Sequence, residues 1–325
     1  MKNERTAVAY TSSQKSGQQY KKNGIARFFE PYKKNYDIFL LFLPVLLWYL
    51  IFCYLPMYGI VIAFQDFKLA VGIKGSEWVG LEQFKKLFRS PSFLRVFQNS
   101  IEISLLRIIF GFPLPILLAL MLNEVKSKTF KKVSQTISYL PHFLSWVVLA
   151  GVFTQILSPS TGIVNQILNA VGIDSIYFMG DPKWFRFTLI TTGIWQSVGW
   201  GSIIYIAAIT SIDSQMYEAA VIDGANRFQQ IIKITLPSIA PVITIQLILT
   251  SGSIINAGFD QIFNMYNDSV MKVSDIIDTF VYRKGLTDMQ FSFSTAVGLF
   301  KNVISFALVI LTNAISKRVN DNGIW

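Results

Sequence analysis

Apolar positions in this chain come in long unbroken runs, not in the alternation of a strand or the narrow stripe of a soluble amphipathic helix. Six runs, at 38–64, 101–122, 133–157, 187–212, 234–259 and 291–316, reach the ~20 residues that a helix needs to cross a hydrocarbon core of roughly 30 Å. The first, third, fourth and fifth are free of Asp, Glu, Lys and Arg, the second holds only Glu102 and Arg107, and the sixth only Lys301. Strands of a membrane barrel alternate and run about 10 residues, so a barrel is excluded. The pattern predicts an all-α polytopic membrane protein with six transmembrane helices in a single domain spanning residues 38–316. The first run is too long for a cleaved leader and no small-x-small site follows it, which predicts a retained helix.

Composition supports this reading. Of the 325 residues 52% are hydrophobic and only 15% charged, whereas a soluble domain carries about 25% charged residues. A net charge of +10 would suit nucleic acid in a soluble chain, but in a membrane protein basic residues first report topology. Both termini are expected inside the cell. That orientation puts the polar tail 1–37, the 123–132 loop (Lys126, Lys128, Lys131, Lys132), the 213–233 loop and Lys317–Arg318 on the cytoplasmic side. Within the tail, Phe28 and Phe29 suit the headgroup boundary, and 317–325 forms a short cytoplasmic end. One basic segment opposes the rule: FKKLFRSPSFLRVF, before the second run, reads as an amphipathic stretch on the outer surface. A lone cysteine, Cys53, precludes an intrachain disulfide. His142 is the only histidine, which excludes His-cluster metal sites, and beside Pro141 it reads as structural.

The loop between the fourth and fifth runs has its own pattern. Asp213 or Ser214 can cap a short helix through Tyr217–Ile222, and Gly224 can end it because glycine accepts the left-handed conformation. The turns from Asn226 to Lys233 lead into the fifth run, with Pro237 at its entry. Ala219 and Ala220 give the short helix a small-residue face that another protein can approach closely.

Residues 218–237 resemble the EAA loop of ABC importer permeases: Glu-Ala-Ala, three residues, Gly, nine residues, Ile-x-Leu-Pro. Glu218, Ala219, Ala220, Gly224, Ile234, Leu236 and Pro237 fill every place in that spacing. MYGIVIAFQDFK, WVGLEQFKKLF, YLPHFLSWVVLAGVF and the terminal NGIW are similar to the LplB-like group of the maltose-type, carbohydrate-uptake class. The resemblance implies a type I ABC importer permease fold in a bacterial plasma membrane and an oligosaccharide cargo, members of the group handling pectin- and alginate-derived ones. It implies that Glu218, Ala219, Ala220, Asp223, Gly224 and Ala225, within the 213–235 loop, couple the chain to an ATPase. The implied partners are a second homologous permease, two ATPase subunits and an extracellular solute-binding lipoprotein. ATP and Mg²⁺ would sit on the ATPases, since this chain has no Gly-rich Lys-Ser/Thr phosphate loop; no cofactor, resident metal or nucleic acid is expected on it.

For a sugar, aromatic faces and hydrogen-bonding groups near the bilayer midplane are the candidate path. These are Trp195, Gln196, Ser197, Trp200 and Tyr205 in the fourth run, Gln246, Thr250, Ser251, Ser253 and Asn256 in the fifth, and Lys301, Asn302 and Ser305 in the sixth. The competing explanations are interfacial anchoring for the aromatics and helix packing for the small residues. Arg107 and Lys301 are costly inside a bilayer, at about 2.5–3.5 kcal/mol each. One of them meets an acidic sugar, or Arg107 is satisfied by Glu102 or a carbonyl and Lys301 reaches for the nearer interface. Two other classes compete with an ATP-driven permease. An ion-coupled secondary transporter would need a coupling-ion path. A membrane enzyme would need clustered acids or histidines, and Asp260, Asp268, Asp275 and Asp278 lack a recognisable metal-ligand spacing.

Overall fold

In the computed structural model, residues 36–253 and 255–320 are described. The expectations for the amino-terminal tail up to residue 35, and for the last residues 321–325, lie outside the described residues. The described residues fall into two units, one ending at Gly59 and the other beginning at Ile60.

Helix dominates because the apolar runs leave the backbone no other way to satisfy its own polar groups. Among the described residues four helical stretches are long and apolar enough to cross a membrane: Tyr36–Phe64, Pro91–Glu124, Arg227–Gly252 and Phe291–Arg318. A fifth candidate is broken, with Lys128–Phe143 and Trp146–Ile156 meeting at 104°. The Pro182–Thr210 helix has 29 residues, length enough to cross, but its Thr, Gly, Ser and Gln content makes it less apolar than the four. The only strands among the described residues are Gln65–Asp66 and Glu77–Trp78, an antiparallel pair with Gln65 opposite Trp78.

Of the boundaries that differ from expectation, three have a clear local reason. The second helix begins at Pro91, not 101: the Ser90 hydroxyl accepts from Phe93 N and Pro91 sits in the first turn, an arrangement that starts helices. The segment expected to lie on the outer surface is therefore divided between the helix Glu82–Arg89 and the extended second helix. The third run bends because Pro141 tightens the chain into a 3₁₀ turn, Leu140–Phe143; Ser145 then caps a new helix by accepting from Val148 N at 3.4 Å. The fifth run ends as a helix at Gly252, and Gly258 at φ +86° caps the next helix, Phe259–Met265.

Three apolar clusters hold the second unit together. One joins Ile103 to Phe185, Leu189 and Ile190 of the Pro182–Thr210 helix and to Ile262 and Met265. A second joins Leu87, Phe93 and Val96 to Phe280 and Val297. A third joins Ala119 and Leu120 to Tyr205, Ile209 and Ile239. Beside the first two lies a polar network centred on the buried Asn99. Its amide donates to the carbonyls of Lys272 and Asp275, both at 3.1 Å, while its oxygen accepts from Arg186 Nη2 at 2.8 Å. Arg186 also pairs with Glu102, and Asp275 with Arg283.

Glu102 is thus engaged by Arg186, and the alternative in which it neutralises Arg107 is corrected: residues five apart on a helix point to different faces. Lys301 pairs with Asp278, a partner 23 positions earlier in the chain, so it does not need the interface. Asn99→Ala should lower the thermal stability of the detergent-solubilised protein by about 2 kcal/mol, the usual cost of leaving buried partners unpaired. An unchanged unfolding midpoint would show that the network contributes nothing.

Candidate functional site

A cavity of about 870 Å³ lies within the second unit, inside the range of roughly 300–1,000 Å³ typical of ligand pockets. One wall is the Pro182–Thr210 helix, through Gln196, Ser197, Trp200 and Tyr205. Gln246 and Thr250 of the Leu236–Gly252 helix also line it. The rest comes from places where helices depart from regularity. Arg107, Ile108 and Gly111 come from the π turn Arg107–Gly111. Trp146 follows the 104° bend, and Gly258, Phe259, Asp260 and Gln261 follow the break after Gly252.

Of the sequence candidates, the cavity gathers Gln196, Ser197, Trp200, Tyr205, Gln246 and Thr250. Trp200 is held by stacking on His142, with ring centroids 4.7 Å apart and planes within 4°; Gln196 Nε2 donates to the His142 carbonyl at 3.4 Å. The structural reading of His142 thus acquires a specific content, that of orienting a cavity tryptophan.

The remaining candidates lie elsewhere. Trp195 packs edge-on against Phe153. Ser251 is buried and donates to the Ile248 carbonyl. Ser253 donates likewise to Thr250. Asn256 and Asn302 are exposed away from the cavity lining, and Lys301 is held by Asp278. Trp146, Phe259 and Gln261 were not singled out from sequence. Their place depends on the bend and the break, for which Pro141-His142-Phe143 and Gly252 to Gly258 were the available signals.

Arg107 is anchored by Gln261, whose side-chain oxygen accepts from Nη2. Gln261 is buried and donates to Leu189 O and Thr192 Oγ1, both at 2.8 Å. Gly258 leaves room for this packing: a Cβ there would lie 2.2 Å from Arg107 Nη1.

The 213–235 loop is a second candidate, apart from the cavity lining. Asp213, not Ser214, caps the Ser214–Ile222 helix, accepting from Gln215 N at 2.9 Å. Gly224, at φ +78°, ends it with Ala225 N donating to Ala220 O and Gly224 N to Val221 O, the paired bonds of a Schellman motif. Asn226 and Gln229 form a capping box that starts the next helix. Tyr217 O–H shares a 2.9 Å hydrogen bond with Thr235 Oγ1, tying the short helix to the π turn Ile231–Thr235. Glu218, Ala219, Asp223 and Gly224 are exposed, Ala220 and Ala225 half-buried. Beside them Ile222 is 86% and Phe228 70% exposed.

Residues 111–321 match the family described as binding-protein-dependent transport system inner membrane component, and the chain belongs to that family: it is a multi-pass membrane permease with the type I ABC importer fold. Within it the chain is similar to the polygalacturonan/rhamnogalacturonan transport system permease protein YteP of Bacillus subtilis (strain 168), 44% identical over 89% of this chain and 90% of that one. It is similar as well to Protein LplB of the same strain, 41% identical over 90% of this chain and 92% of the relative. A chain of a solved bacterial alginate ABC transporter, in complex with alginate pentasaccharide-bound periplasmic protein, superposes with a TM-score of 0.85 at 41% identity, covering 92% of this chain and 100% of that one.

Gly258→Ala should destabilise the protein by at least about 1 kcal/mol, because alanine is disfavoured at this positive φ and its methyl collides with the guanidinium. A differential scan of the purified variant tests this, and a midpoint equal to wild type would contradict it.

Proposed function

We propose that this chain is the permease subunit of an ATP-driven importer of an oligosaccharide, and that the 870 Å³ cavity is the path the sugar takes. The observation that carries the reading is the cavity wall itself. Sugar rings offer C–H faces to aromatic rings and hydroxyls to hydrogen-bonding groups, and here Trp200 and Tyr205 stand beside Gln196, Ser197, Gln246 and Thr250. The likeness to a polygalacturonan/rhamnogalacturonan transport permease and to an alginate transporter supports it. On this reading the Pro182–Thr210 helix and the bent pair count as spans, giving six. The wall-forming helix is the less apolar one because part of its surface meets water and sugar rather than lipid. Both termini then lie in the cytoplasm, following the basic residues of the 123–132 and 213–233 loops.

The Ser214–Ile222 helix is the ATPase-docking element. Exposed Ile222 and Phe228 beside the small Ala219 are what a partner surface would cover, and Glu218 and Asp223 at their edge would set its orientation. A surface ion pair contributes only about 0–1 kcal/mol. ATP binding and Mg²⁺ belong to the two ATPase subunits. A second homologous permease supplies the other docking helix, and a solute-binding lipoprotein delivers the sugar. The Tyr217–Thr235 bond carries the movement of the docked helix to the base of the Arg227–Gly252 helix.

Uptake of labelled oligosaccharide by proteoliposomes holding the full complex tests the reading. Transport should stop with vanadate and persist when ion gradients are collapsed; the opposite pattern would favour an ion-coupled secondary transporter. Gly224→Asp should abolish coupled uptake while the chain still inserts, since aspartate is strained at φ +78° and adds charge to the docking face. Normal uptake at normal expression would remove the loop from coupling.

A further inference from the structure

Among the described residues of the second unit, Arg107, Arg186, Arg283 and Lys301 are drawn into the helical body, and all but Arg107 have carboxylate partners. Arg186 pairs with Glu102, Arg283 with Asp275 and Lys301 with Asp278. Arg107 differs. No carboxylate among the described residues pairs with it, and its Nε is buried with no hydrogen-bond partner. Its one side-chain bond goes to the neutral amide of Gln261, which leaves the charge uncompensated. The residue also lines the cavity.

Leaving a cation unneutralised in a low-dielectric wall costs free energy unless an anion arrives. A guanidinium has five donors in a planar fork shaped for a carboxylate. Here the fork is pre-oriented, since Gln261 is fixed by two bonds to the Pro182–Thr210 helix and Gly258 closes against the guanidinium. Asp260 lines the same cavity but is exposed and forms no ion pair with Arg107. Its charge would oppose an incoming anion without cancelling the buried cation.

We propose that Arg107 is the carboxylate subsite of the cavity, so that the oligosaccharide passing through it carries uronic acid residues, with Gln261 as the positioning residue that aims the guanidinium. This rests on reading the cavity as the sugar path and adds the charge of the cargo to it.

The test is a titration of the detergent-purified transporter complex, without its solute-binding protein, with trigalacturonate and with the trimethyl ester of the same trisaccharide. The ester keeps the length and removes the charge. Arg107→Gln should weaken trigalacturonate by at least about tenfold, the scale of a lost charge-assisted pair, and leave the ester within about twofold. Arg107→Lys should retain part of the preference, and Asp260→Asn should tighten the acid relative to the ester. Equal loss for both sugars, or an unaltered acid affinity, would overturn the assignment and make Arg107 a packing residue. Should Arg107→Gln fail to assemble, Asp260→Asn decides alone: tightening of the acid relative to the ester supports the subsite, and no change overturns it. Wild-type complex that binds neither sugar also overturns the subsite. If that complex still imports a neutral oligosaccharide, the transport reading stands without it; if it imports no sugar, that reading falls too.

Discussion

Inside a bilayer a backbone N–H or C=O that lacks a protein partner has no water to turn to, and the penalty runs to several kcal/mol per group. That constraint governs both the regular and the irregular parts of this chain. Where a helix faces lipid it must keep its ladder intact. Where the ladder opens, the open groups must face protein or a wetted space. The π turn at Arg107–Gly111, the bend before Trp146 and the break between Gly252 and Gly258 all border the same cavity. Their convergence on one space agrees with the constraint, since open backbone groups are tolerated beside protein or water.

The same logic orders the side chains. The residues that make the cavity wettable are those that lower the hydropathy of the Pro182–Thr210 helix, and its buried face still packs through Phe185, Leu189 and Ile190. Charges within the helical body are handled in two ways. Most are neutralised in place, and the network through Asn99, Arg186 and Asp275 ties three separate segments together at one end of the first cluster. Arg107 is positioned by Gln261 without a carboxylate partner among the described residues.

Much of this was legible from residue order. Runs without charge located the helices, the Asp213 to Gly224 pattern marked a short capped helix, and Arg107 and Lys301 stood out as costly. What could not be read were contacts between distant segments. Asp278 lies 23 positions before Lys301, and Gln261 lies 154 after Arg107, so no local pattern links them. Boundaries failed where weak signals competed: Ser251-Gly252-Ser253 interrupts an otherwise apolar run, and glycine with short polar side chains does little to lower its mean hydropathy. At the second helix Ser90-Pro91 was a start signal hidden within a basic, amphipathic segment. His142 illustrates the remaining gap, since its ring plane against Trp200 depends on the angle of the bend at Pro141, which no local pattern sets.

Side-specific labelling of one engineered cysteine tests most directly whether the cavity is a transport path. Cys53 is the only native cysteine, so a Cys53→Ser background allows Gln246→Cys in the cavity wall to be followed alone with a membrane-impermeant maleimide. Gln246→Cys should react from one side of the membrane in the resting complex, vanadate trapping should change the reactive side, and the transported oligosaccharide should slow labelling. Reactivity that ignores both the trapped state and the sugar would contradict a transport path.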